Sequence, residues 1–356
     1  MLANEIEWPA IVAGRMSYGK CRVIMVETQT TNRPLPASGG RLMILNIGRL
    51  GDTILRNSIL DPALRTFATV DYVCGRYNAE LLRHDPRLNR VIVLRNSPSG
   101  FAQLLQAALG HRYDALIDLK GHPSSTSLIM ATLFRGRAKT GCNHGLFQPF
   151  HRDVRKVIAP ALHVLELTQR IGRMAGLAPG EYKASLFLPP DSIAWFRLNY
   201  GTLDRPFIFL NISASSPRVW PLNKWVRYVR GCGLAEKPIL ISGLPQDGEK
   251  VRQLCRELPG TVPFQPRGFM DVVAAIAAAG LVLTVDTGVV HACSALDKPI
   301  VALYCGLDKL RYSSTGFEPC STWQLVIRPP PGRIVAEINP EEAIAKTREH
   351  GLPPPF

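Results

Sequence analysis

Four stretches of the chain place glycines, hydroxyls or charges directly after short apolar runs, where side chains can meet a ligand. The first is Gly48-Arg49-Leu50-Gly51-Asp52-Thr53, following LMILNI. Its glycines permit a tight turn, and the helix that should follow offers free N–H groups at its start. The spacing is GxxG and not the GxGxxG of dinucleotide sites, so no nicotinamide cofactor is implied. Asp52 is either a helix N-cap or a carboxylate facing a cleft, able to take a proton from an incoming hydroxyl. The most specific stretch is Asp286-Thr287-Gly288-Val289-Val290-His291, between LVLTV and a helix ending at Leu296. Gly288 permits close backbone approach, the helix start supplies orphan donors and a positive dipole, and His291 falls in the first turn. A diphosphate suits that environment. An N-capping Asp286 and a packed His291 are the alternatives.

In the third stretch, Asn211 to Pro221 (NISASSPRVWP), small hydroxyl residues including Ser213 precede a fixed cation, Arg218, as in a phosphate cradle. A Ser-rich turn with Trp220 packed behind it is the structural alternative. The fourth, LISGLPQDGE, puts Asp247 where it would either bind ribose hydroxyls or cap the next helix. The eight cysteines never stand at zinc or dithiol spacing, and several lie in apolar stretches such as HACSAL, which reads as reduced core thiols. No metal cage is suggested.

The elements that must hold these residues alternate. Strand, glycine turn and helix run from Leu42 through Thr53 to Phe67, and VDYVCG, RVIVL and ALIDLKG follow as strands with helical stretches between them, the last at Phe101 to Leu109. A second series begins at PFIFLNIS and continues through NKWVRYVRGC, PILISG, GEKVRQLCREL, MDVVAAIAAAG, LVLTV and PIVALY. The expected architecture is α/β: two Rossmann-like domains with a cleft at the carboxyl ends of their strands. Residues 1–40 read as an extension, 41–185 as the first domain, 186–204, with Pro189-Pro190, as a hinge, and 205–356 as the second domain.

With 356 residues, 46% of them hydrophobic and 20% charged, the chain is globular and long enough for two cores. Residues 1–180 carry 23 Lys/Arg against 12 Asp/Glu, whereas 181–356 carry 19 against 16. A basic first half implies an anionic partner there, or serves solubility alone. The basic residues are dispersed and lack the aromatic interleaving of a single-strand binder, which argues against nucleic acid. The longest apolar run, Val272 to Val285, is too short to span a bilayer and is broken by Gly280, and the acidic amino terminus does not suit a secretory signal. The expectation is a soluble cytoplasmic protein with at most peripheral contact with a membrane.

RLMILNIGRLGDTILRNSILDPALRTF, YDALIDLKG, GRAKTG, SASSPRVWPLNKW and DVVAAIAAAGLVLTVDTGVVHACSALDKPIVALY, in this order, resemble glycosyltransferase family 9, the ADP-heptose:lipopolysaccharide heptosyltransferases. The resemblance covers residues 41–306. It implies a GT-B fold, with the acceptor on the first domain and the nucleotide sugar on the second, and an inverting, metal-independent transfer of a heptose from ADP-heptose to a lipopolysaccharide core, with no cofactor beyond the donor. Asp52 matches the family's base, and Arg218 a basic contact to the diphosphate. Asp286, Thr287, Gly288 and His291 match the donor loop, and Ser213 matches a hydroxyl position. Asp247 is assigned to the donor as well. Gly51, Lys120, Arg135, Arg137 and Lys139 are assigned to the acceptor, an anionic glycolipid that the basic cluster continuing through Arg152, Arg155 and Lys156 would hold. Ala214 lacks the hydroxyl often found there, and YCGLDKL replaces the usual Phe-Gly-Pro-Thr-Asp-Pro, which opens the donor identity. The competing expectations are a relative with another nucleotide-sugar donor or polysaccharide acceptor, a sugar-nucleotide epimerase, and a non-catalytic anion-binding protein. The oligomeric state is left open.

Overall fold

The structure is a computed structural model describing residues 39–94, 102, 105, 106, 109, 113–158, 162–203, 206–307 and 315–356. Two six-stranded parallel sheets organise it. The first orders its strands β3-β2-β1-β4-β5-β6, from β1 (Arg41–Asn46), β2 (Thr69–Gly75), β3 (Arg90–Leu94), β4 (Ala115–Asp118), β5 (Ala138–Gly141) and β6 (Arg152–Asp153). The second orders β12-β11-β10-β7-β8-β9, from β7 (Ile208–Asn211), β8 (Ile239–Ser242), β9 (Thr261–Phe264), β10 (Leu281–Val285), β11 (Ile300–Leu303) and β12 (Gln324–Ile327). Each order is that of a doubly wound sheet, and each reverses direction at one switch point, between β1 and β4 and between β7 and β10. The two-domain α/β reading from the sequence therefore holds.

Both faces of each sheet are apolar, as buried parallel strands require. In β1, Leu42 and Ile44 face one core while Met43 and Leu45 face another. The first of these cores is continuous across the domains: it joins Ile54 and Leu55 to Val289, Val290 and Ile276. The helices are α1 (Leu50–Arg56), α2 (Leu60–Thr66), α3 (Ala79–Leu82), α4 (Ser125–Leu133), α5 (Val164–Ala175), α6 (Pro190–Tyr200), α7 (Leu222–Gly231), α8 (Gly248–Glu257), α9 (Phe269–Ala278) and α10 (Gly288–Leu296). All contribute to this core except α4, which packs with Met43 and Leu45, and α7 and α8, which pack on the other face of the second sheet. A final helix, α11 (Pro340–His350), packs on α7, where Tyr228 and Thr347 hydrogen-bond at 2.8 Å. Across the cleft Glu80 of α3 accepts the Met270 N–H at 3.0 Å, satisfying an orphan donor at the start of α9.

Three expectations need revision. The helix expected over Thr53 to Phe67 is α1, a 3-10 turn at Asn57–Ile59, and α2. Pro62 has no N–H to give the Ser58 carbonyl, so the coil tightens ahead of it. The segment expected as a hinge carries α6, which packs on α9 and puts Phe196 against Phe207 and Phe264. Pro189 and Pro190 are its N-cap and first helical residue, where a missing N–H costs nothing, so the pair starts a helix, with 186–189 before it and 201–203 after it as the described connector. The short strands β5, β6, β9 and β12 carried too little apolar pattern to be expected. Residues 1–38 of the expected extension, and most of the expected helix at Phe101 to Leu109, lie outside the described residues. No described helix is long and apolar enough to cross a membrane.

Candidate active site between the two domains

A cavity of about 860 Å³ lies between the sheets. One wall is the turn after β1, with Arg49, Leu50, Gly51 and Asp52; the other comprises the segments after β7, β8 and β10 and the rim from Pro266 to Phe269. Both switch points therefore open onto one space.

The β1 turn is held from beneath. Asn46 donates to Thr53 Oγ1 at 3.1 Å and to the Tyr72 hydroxyl at 3.0 Å, and Asn78 donates to the Gly48 carbonyl at 2.9 Å. Asp52 is the third residue of α1, not its N-cap; its Oδ2 accepts the Arg49 N–H at 3.3 Å. The carboxylate is half-buried and lines the cavity. One turn further on, Arg56 is lowered from its ordinary range by burial, a shift opposed by the charges of Asp52 and Asp118. Gly51 has a steric reason to be glycine, since a Cβ there would stand 2.3 Å from His291 Cδ2.

On the opposite wall Asn211 donates to Thr284 Oγ1 at 3.0 Å and Thr287 Oγ1 at 3.4 Å, tying the ends of β7 and β10 together. Arg218 donates to the Asp286 carbonyl at 3.1 Å, to its Oδ2 at 3.4 Å and to Ser215 Oγ at 2.7 Å. Burial raises the Asp286 carboxyl above the usual carboxylate range, while the charges of Arg218, Arg328 and Arg49 oppose that rise. Thr287 is the N-cap of α10 but caps nothing with its side chain, and the free N–H groups of the first turn begin at Gly288. His291 is buried and pushed down to about 3 by that burial, so it is a neutral imidazole at working pH. Asp286, Thr287, Gly288, His291, Ser213, Arg218, Gly51 and Asp52 thus share one cavity.

The other expected residues do not. Asp247 is outside the lining: its carboxylate accepts Ser213 Oγ–H at 2.5 Å and the Lys250 ammonium at 2.6 Å. Ser213 in turn accepts the Leu244 N–H at 2.7 Å, so both hydroxyl and carboxylate shape the loop after β8 and neither is free for ribose. Arg135 and Arg137 are exposed ahead of β5, at its amino end, and Lys139 pairs in register with Leu116, inside the sheet. The Lys139 ammonium is spent on the Ala131 carbonyl at 2.7 Å. These three residues face away from the carboxyl-end cleft and do not join the site. Lys120 follows β4 on the cleft-side edge, with its Nζ on Ser124 Oγ at 3.1 Å, but is not part of the cavity wall. Arg49, inside the Gly48–Thr53 motif, also lines the cavity, as do the rim residues Arg267, Gly268 and Phe269, whose sequence signal is only their place before a helix start.

Two facing doubly wound domains with a polar cleft at their switch points define a GT-B fold. The sequence profile described as "Glycosyltransferase family 9 (heptosyltransferase)" matches residues 102–316, and the chain belongs to that family. It is 24% identical over 296 residues to lipopolysaccharide heptosyltransferase 1 of Escherichia coli K12, covering 75% of this chain and 88% of that protein. With the enzyme of the same name from Salmonella typhimurium LT2 it shares 27% over 221 residues, 57% of this chain and 64% of that one. Among solved structures, the family 9 glycosyl transferase of Veillonella parvula superposes with a TM-score of 0.73 at 19% identity, over 89% of this chain and 97% of that one. E. coli heptosyltransferase WaaC with ADP superposes with 0.69 at 20%, over 87% and 100%.

Proposed function

We propose that the protein transfers a heptose from ADP-heptose to a lipopolysaccharide core acceptor with inversion at the anomeric carbon. The observation that carries this reading is the facing of Asp52, on one domain, and the Arg218–Asp286 pair with the start of α10, on the other, across a single cavity. Asp52 takes the proton of the acceptor hydroxyl as its oxygen bonds to the anomeric carbon. The bond from that carbon to the diphosphate oxygen breaks on the opposite face, and ADP leaves with the electron pair. Arg218 and the N–H groups from Gly288 onward offset the charge that develops on the leaving group, the role a metal ion fills in other enzymes. No cofactor beyond the donor is needed. Neutral His291, packed on Gly51, keeps the two walls at a fixed separation without adding charge.

The acceptor's anionic groups lie along the carboxyl edge of the first sheet, near Lys120 and Lys156, and not at Arg135, Arg137 or Lys139. An acceptor on a lipid anchor would be met at the cytoplasmic face of the inner membrane by peripheral contact.

Calorimetric titration with ADP, UDP and GDP tests the donor. ADP should bind at least tenfold more tightly than the other two. A preference for UDP or GDP would remove ADP-heptose as donor and leave the transfer chemistry standing.

A further inference from the structure

Arg49 belongs to the acceptor-side turn, yet it lines the same cavity as Ser215, Arg218 and Asp286. Two contacts set how closely its turn approaches the donor side. A Cβ on Gly288 would stand 2.9 Å from a Leu50 methyl carbon, and one on Gly51 would meet the His291 ring. Arg49 precedes both Leu50 and Gly51, so its side chain starts at the mouth of the donor loop, and its charge acts on the Asp286 carboxylate across the cleft.

The other cations of the cavity wall are occupied. Arg218 is bonded to Asp286 and Ser215, and Arg267 to Asp271 at 2.8 Å. The Arg49 guanidinium makes no hydrogen bond or ion pair with a described residue, although Asp52 is only three positions away. An exposed planar cation without a protein partner, beside an anion-binding helix start, is suited to bidentate contact with phosphate.

We propose that Arg49 is a second ligand for the nucleoside diphosphate, supplied by the acceptor domain to a group otherwise held by the donor domain. The backbone N–H of the same residue donates to Asp52. Contact between Arg49 and the diphosphate therefore orders the turn that carries the base, and couples donor binding to placement of Asp52. This inference rests on the proposed assignment of the cavity to a nucleotide-sugar donor.

The test is calorimetric titration of the full chain with ADP, for wild type, Arg49→Gln and Arg218→Gln, with thermal melts of each. Arg49→Gln should weaken ADP binding about tenfold, since a charge-assisted hydrogen bond of about 1.5 kcal/mol corresponds to that factor. Its melting temperature should stay at the wild-type value, because the lost side chain is exposed and holds nothing in the free protein. An Arg49→Gln protein that binds ADP within twofold of wild type, while Arg218→Gln binds it poorly, would overturn the role of Arg49 alone. If neither substitution altered ADP binding, the donor assignment of the cavity would fail as well. A weakened Arg49→Gln that also melted lower would overturn the inference by assigning the residue to structure.

Discussion

Asp52→Asn should lower kcat by about 10²–10⁴-fold, the usual contribution of a positioned general base, and leave ADP affinity within about threefold. The two parts of this expectation rest on different observations. The loss follows because the amide cannot accept the acceptor proton and, among the described residues, no second carboxylate shares that wall of the cavity: the other acid in the lining, Asp286, is across the cleft and bonded to Arg218. The retained affinity follows because Asp52 lies on the acceptor-side turn and, among the described residues, accepts only the Arg49 N–H, which an amide oxygen can also accept. Steady-state kinetics with saturating acceptor, paired with calorimetry, separate the two. Turnover near the wild-type value would take Asp52 out of the mechanism.

Arg218→Gln is expected to act on the other half of the reaction and also on the fold. Removing a preorganised donor from a developing anion typically costs about 10²–10³ in kcat, and ADP affinity should fall with it because the diphosphate loses its fixed cation. The Asp286 carboxylate, 16% exposed, loses its ion-pair partner too. Leaving a buried acceptor unsatisfied costs about 1–3 kcal/mol. The pH dependence has a definite sign. Burial already raises Asp286, and Arg218 is the foremost charge restraining that rise, so the variant's carboxyl titrates higher still. A carboxyl raised on folding stabilises the fold in acid and loses that contribution as pH rises through its folded value. The gap in melting temperature between wild type and Arg218→Gln should therefore widen from pH 5 to pH 8. A constant gap would mean that Arg218 does not control Asp286.

How far the site was legible in the sequence depends on how local its causes are. The stretches Gly48 to Thr53 and Asp286 to His291 each run from a buried apolar strand through glycine into a helix, and the fold puts them where such a junction must be, at the switch points of parallel sheets. The basic cluster misled for the opposite reason. Arg135, Arg137 and Lys139 are close in sequence to Lys120, but the chain traverses α4 between them and enters β5 at the far end of the sheet, roughly a strand length from the cleft, about 13 Å for four residues. A charge count along the chain carries no information about which end of a strand a residue occupies. Ser213 and Asp247 each read separately as donor contacts; they are 34 positions apart, and only their meeting at 2.5 Å shows that they satisfy one another. Pro189-Pro190 reads equally well as a hinge or a helix start until α6 is seen packed on α9.

In the proposed reaction one cavity brings the base and the diphosphate site to opposite sides of the same anomeric carbon. The most direct test of that reaction incubates the full chain with ADP-heptose and a heptose-free lipopolysaccharide core acceptor, and follows both products by mass spectrometry and proton NMR. The acceptor should gain one heptose of inverted anomeric configuration, with equimolar release of ADP, and Asp52→Asn should slow both by the same factor of about 10²–10⁴. A product with retained configuration, or conversion of the donor without any acceptor present, would contradict the proposed reaction.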